Sequence, residues 1–175
     1  MKFNRRHFLT VSAVTGMAGA IAPAATAFTL PDPPQPGRLR LSCQEGVAPG
    51  KTLAEKLDFM EELGLEGLEV GGGGLKNRVE ELKKALEGRK IKISAICAGF
   101  SGVIISEQES ERQKAMDSMK EILTAAGALG STGLIIVPAF NGQTKMGHKE
   151  SRELLVKQLL PELGDHAQKA GSRIL

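Results

Sequence analysis

The sequence has no tryptophan and no tyrosine, and six phenylalanines are its only large aromatic residues. Binding of single-stranded nucleic acid relies on aromatic platforms, so that function is disfavoured from the outset. Cys43 and Cys97 are the only cysteines, too few for a disulfide framework and without the spacing of a zinc site. They fall in the first and third predicted strands, and alternate strands of a sheet lie roughly 9–10 Å apart. A bridge needs Cα atoms within about 7 Å, so two buried free thiols are expected. No Asp, Glu and His cluster with metal-ligand spacing occurs in the chain. An excess of charge of one sign is missing too. Of the 23 Lys and Arg, Lys2, Arg5 and Arg6 lie in the leading segment, which leaves 20 against 20 Asp and Glu. Nothing then drives binding to a phosphate backbone, and nucleic acid is excluded as a partner.

The leading segment is an address. Arg5 and Arg6 precede Phe8 and Leu9, a soft apolar stretch covers residues 11–28, and Ala25 and Ala27 occupy the small positions of a cleavage site. The pattern resembles the twin-arginine export signal of bacteria. Gly16, Gly19 and Pro23 make the stretch too weakly apolar to span a bilayer well. Residues 1–27 are therefore expected to be a signal that meets the membrane only transiently and delivers the protein to the periplasm. Residues 28–37, rich in proline, read as an extended linker.

From residue 38 strand and helix patterns alternate. Residues 39–43 form a short first strand. Thr52 opens a helix through a capping box with Glu55, and Leu53, Leu57, Met60 and Leu63 mark its apolar face. Residues 67–70 make a second strand. A second helix carries Leu75, Val79, Leu82 and Leu86, and residues 91–97 make a third strand. The third helix is expected to start near Ser106 or Ser110, with Ser106 and Glu109 as a further box and Met116, Met119, Leu123, Ala126 and Leu129 inward. Residues 133–137, five apolar or glycine positions before Pro138, predict a fourth strand buried on both faces. A fourth helix over residues 151–170 turns Leu155, Leu159, Leu163 and Ala167 inward and His166 outward, and Pro161 kinks or restarts it. Residues 171–175 begin a fifth strand. Gly64, Gly130 and Gly171 recur where each helix returns to a strand.

Helical crossovers between successive strands imply a parallel sheet. A doubly wound, flavodoxin-like domain fits this length, and so does the first half of a (β/α)₈ barrel, which needs about 250 residues. The short last strand favours the N-terminal half of a TIM barrel, residues 38–175, cut within strand five, whose open edges would promote aggregation.

Three features invite chemistry. Residues 45–52 end in Gly-Lys-Thr like a phosphate loop, but Glu45 replaces the first glycine and Pro49 removes a donor. Residues 71–74 are four glycines whose register does not fit a dinucleotide fingerprint, leaving a sharp turn or the close approach of a ligand. Glu69 is a carboxylate in an apolar strand, requiring either an ion pair with Arg40 or Lys92 or a polar pocket. His148 and Lys145 lie in the predicted loop after the fourth strand.

Residues 67–70, 91–100 and 130–140, with helix four, together resemble the sugar phosphate isomerase/epimerase group of xylose isomerase-like TIM barrels. The resemblance implies a divalent metal (Mn, Mg, Co or Zn type) held by carboxylates and a histidine from strands five to eight. It also implies a glutamate pair that moves a proton through an enediolate. None of those ligands is assignable here, so the catalytic residues are expected beyond Leu175, and these residues alone are expected to bind no metal and to be inactive. Glu69, Phe100, Phe140, Asn141 and His148 would line the pocket of a small-molecule sugar. The apurinic endonuclease branch of the same group would bring early metal histidines, which are missing after strands three and four. The alternatives are an exported carbohydrate-binding barrel without catalysis and a complete flavodoxin-like domain.

Overall fold

The structure is a computed structural model and describes residues 38–175. The predicted signal and linker, residues 1–37, lie outside the described residues. Strand β1 (Ser42–Gln44) is followed by α1 (Leu53–Glu62) and β2 (Gly67–Gly71). A 3₁₀ turn (Leu75–Arg78) leads into α2 (Val79–Leu86), then β3 (Lys92–Cys97), α3 (Glu109–Ala128) and β4 (Leu134–Ile135). The chain ends in α4 (His148–Leu154), a π-helical segment (Leu155–Leu159) and α5 (Leu160–Lys169).

The strands pair in parallel in the order β1-β2-β3-β4. A doubly wound sheet reverses its strand order at a switch point. This sheet does not, which sets aside the flavodoxin-like alternative and matches part of a TIM barrel.

Local sequence explains the helix boundaries. In the α1 capping box Thr52 Oγ1 accepts from Glu55 N at 3.2 Å, and Glu55 Oε2 accepts from Thr52 N at 3.4 Å. Such a cap contributes about 1 kcal/mol. Gly64, Gly130 and Gly171 all sit at left-handed φ of 65–72° where the chain leaves a helix. The second predicted box does not form. Ser106 is buried in the preceding loop, its Oγ accepts from Gln108 N at 3.1 Å, and α3 starts at Glu109.

The fourth strand is shorter than its apolar run predicts. Only Leu134–Ile135 pair with β3, and the other side makes a single bridge to Ile174. Leu134 is fully buried, but Val137 is 38% exposed, because no second strand continues alongside it. The single predicted fourth helix is interrupted by the π segment, and Pro161 stands at the start of α5. A proline ring displaces the carbonyl of the preceding turn, which fits a widened turn there. His166, predicted outward, is half-buried: its Nε2 lies 2.9 Å from Lys120 O and 3.0 Å from Thr124 Oγ1, tying α5 to α3.

Leu68, Val70, Ile93, Ile96 and Leu134 project from the sheet into a core completed by Leu57, Met60, Leu82, Met119, Leu123 and Leu163. That core covers one face of the sheet.

Candidate functional site

Side chains alternate across a strand, so a sheet with one apolar face presents different residues on the other. In β2 Leu68 and Val70 are buried, and Glu69 between them is half-exposed. Gln44 stands opposite Glu69 in the β1–β2 register, and Cys97 stands opposite Gly71 in the β2–β3 register. A cleft of about 440 Å³ opens at these strand ends, lined by Gln44, Glu45, Lys56, Glu69, Gly71 and Cys97 among others. The carboxyl end of a parallel sheet is where such folds bind ligands.

The partners of Glu69 decide between its two predicted roles. Arg40 turns to Glu66, 3.7 Å away. Gln44 Nε2 donates to Glu69 Oε1 at 2.5 Å. Among the described residues Glu69 has no cationic partner within 4 Å. Two cations beside the cleft, Arg78 and Lys56, are committed to Glu45. Arg78 Nη1 and Nη2 donate to the two oxygens of Glu45 at 2.9 and 2.8 Å, and Arg78 also pairs with Glu81. The Arg78 guanidinium holds the Glu45 carboxyl below its usual range, against an opposing effect of burial. Glu45 in turn holds the guanidinium charged over a still wider range. Lys56 Nζ donates to Glu45 O at 2.8 Å. Glu69 is therefore held by neutral donors and faces the cleft with no cation within 4 Å among the described residues.

Cys43 and Cys97 are free, as expected, though half-buried where full burial was predicted. Burial pushes the Cys97 thiol up, and the Glu69 carboxylate beside it pushes further. The thiol stays protonated at neutral pH, a donor and not a nucleophile.

Within residues 71–74, Gly72 and Gly73 lie against protein backbone, whereas Gly71 and Gly74 face open space. A Cβ on Gly72 would stand 2.0 Å from Ala98 O, and one on Gly99 would stand 2.2 Å from Gly73 N. The loops after β2 and β3 thus touch backbone to backbone, with Ala98 held at a φ of +40°. Close approach is real here, but the partner is the neighbouring loop.

Of the five residues predicted to line a pocket, Glu69 alone reaches this cleft. Phe100 is half-buried against the core. Phe140 is 68% exposed, and Asn141 sits in an exposed turn in which Phe140 N donates to Gln143 Oε1 at 2.8 Å. His148 is the first residue of α4 and opens onto an outer cleft with Lys149, Arg152 and Val156. Gln44, Lys56 and Cys97 were missed as cleft residues. The signal for Gln44 was a polar residue directly after Cys43, on the strand face opposite to it.

Among the described residues no three His, Cys, Asp or Glu side chains come together in a way that could hold a metal ion. Among the same residues no helix is long and apolar enough to cross a membrane.

Residues 57–175 match the family model of the xylose isomerase-like TIM barrel. A curated relative, 3-dehydro-D-guloside 4-epimerase of Escherichia coli (strain K12), is 32% identical over 89 residues, 51% of this chain and 34% of the relative. The crystal structure of 3-keto-D-glucoside 4-epimerase from E. coli aligns with a TM-score of 0.68 and 22% identity, covering 78% of this chain and 55% of that one. The IOLI protein with a bound zinc atom aligns with a TM-score of 0.62 and 21% identity, covering 78% and 50%. At those identities the structural likenesses establish the fold. The chain spans about a third to a half of the length of these relatives.

Proposed function

The chain belongs to the xylose isomerase-like TIM barrel family, and from that premise we propose that β1–β3 form one wall of the sugar site of a metal-dependent isomerase or epimerase. The observation that carries this reading is the Glu69 carboxylate, half-exposed at the carboxyl end of the sheet and held only by neutral donors. A carboxylate left without a cation at such a place is suited to accept hydrogen bonds from sugar hydroxyls. Gln44 fixes one of its oxygens, and the protonated Cys97 thiol lies beside it. The relatives named for 3-dehydro-D-guloside and 3-keto-D-glucoside support a keto-sugar as the substrate.

Metal dependence draws support from the zinc atom of the IOLI structure. Residues 38–175 furnish no donor set of their own, so their part is to bind and orient the sugar. By themselves they would turn over no substrate. Residues 1–27 would direct export by the twin-arginine route, a reading supported by Arg5, Arg6 and the small residues Ala25 and Ala27.

The test is an epimerisation assay on the full-length, metal-supplemented protein with a 3-keto-D-glucoside, followed by NMR in D₂O. Turnover with incorporation of solvent deuterium is expected, together with a KM raised about tenfold by Glu69→Ala, the scale of one lost charge-assisted hydrogen bond. Absence of turnover, or an unchanged KM in that variant, contradicts the reading.

A further inference from the structure

One carboxylate joins two loops on the carboxyl side of the sheet. Glu107 stands just ahead of α3 and accepts a hydrogen bond from the Lys145 backbone N–H. The Thr144 hydroxyl lies 2.8 Å from Ile105 O and 3.3 Å from Glu107 Oε1, two acceptors of the β3–α3 loop that share its proton. The same hydroxyl accepts from Met146 N at 3.0 Å. Two consecutive residues of the β4–α4 loop, Thr144 and Lys145, are thus pinned to the β3–α3 loop, and Met146 is tied to Thr144.

The anchor is firm on its own side. Arg112 Nη1 donates to Ser106 O at 2.8 Å and to Glu107 O at 3.0 Å. Ile104, Ile105 and Ser106 are buried. The donors around the Glu107 carboxylate, its own backbone N–H first and Lys145 N–H next, hold it below the usual carboxylate range. The loop it grips packs on the core through Ile136 and Ala139 at its start. Between β4 and Thr144 the chain makes a turn closed within itself by Phe140 and Gln143, with Gly142 at a φ of +83°. That turn carries the exposed Phe140 and Asn141.

We infer that Glu107 is a positioning residue, whose carboxylate fixes the far end of the β4–α4 loop so that Phe140 and Asn141 are held at the carboxyl side of the sheet. The inference rests on the sugar-site reading given above. Because Glu107 is exposed and the side chains beneath its loop are apolar, removing the carboxylate frees the loop and leaves the core intact.

Two measurements on the full-length protein test it, amide hydrogen exchange over residues 139–147 and steady-state kinetics on the same ketoside. In Glu107→Ala, exchange at Lys145 and Met146 should accelerate at least about tenfold, since a charge-assisted acceptor is lost. KM should rise about fivefold with kcat within about twofold of wild type, the pattern of lost uniform binding. Glu107→Gln keeps an acceptor oxygen and should restore part of both effects. Unchanged exchange overturns the anchor, and faster exchange with an unchanged KM overturns the positioning role. A wild type that turns over no ketoside fails at the sugar-site reading and removes the positioning role with it. An active wild type with an indifferent variant removes the positioning role alone.

Discussion

On the helix-covered face of the sheet Leu68, Val70, Ile96 and Leu134 expose at most 1% of their surface, whereas on the other face Gln44 is exposed and Glu69 and Cys97 are half-exposed. In β2 and β3 members of the two sets stand one residue apart. The covered face is apolar and closely packed, so its energy is set by buried area and by the fit of neighbours. The other face carries hydrogen bonds between strands and a carboxylate with no cation within 4 Å among the described residues. Stability should follow the first face and ligand binding the second.

The comparison breaks most visibly on the covered side. Leu68→Ala should cost about 2–5 kcal/mol in urea unfolding, because a fully buried side chain leaves a cavity. Gly72→Ala should come next, at about 1–3 kcal/mol, since its new methyl meets the fixed Ala98 carbonyl. Gly71→Ala, with nothing within 4 Å of its added carbon, is the matched control and should be nearly neutral.

The Glu45–Arg78 pair, at the edge of the cleft, adds a test by pH. Its side chains are 20% and 30% exposed. Glu45→Gln should cost about 1–2 kcal/mol at pH 7, less than a fully buried pair. The folded-state pKa of Glu45 is depressed. Its contribution is therefore complete above the unfolded value near 4.3 and is lost as pH falls through the lower folded value. The gap between wild type and variant should close over that acid window, which denaturant melts at a series of pH values would follow.

What the sequence revealed of the fold was what short-range chemistry decides. The Thr52–Glu55 box, the three return glycines and the buried Leu57, Met60 and Leu82 depend on residues within a turn or two of each other, whereas Leu63, expected on the same face of α1, caps that helix and is 60% exposed. The short β4 depends on whether a neighbouring strand runs beside Val137, which no local pattern encodes. The position of His166 likewise depends on how α5 crosses α3, and the failure of Ser106 as a cap on its burial in a loop. The site followed the same division. Glu69 was legible because a carboxylate in an apolar strand demands a partner, but naming Gln44 as that partner required the β1–β2 register. Phe140, Asn141 and His148 were placed by family resemblance and chain position, which put them after β4 without saying how near they come to Glu69.

The division between faces is tested most directly by Glu69→Gln in the full-length protein, with unfolding free energy and KM measured on the same sample. This variant should change stability by less than about 0.5 kcal/mol, the smallest effect of the series, because the site is half-exposed and the amide keeps an oxygen for Gln44. KM for the ketoside should nevertheless rise about tenfold through loss of the charge. A loss of 2 kcal/mol or more with KM unchanged would show that Glu69 serves the fold, and would contradict the assignment of the polar face to the ligand.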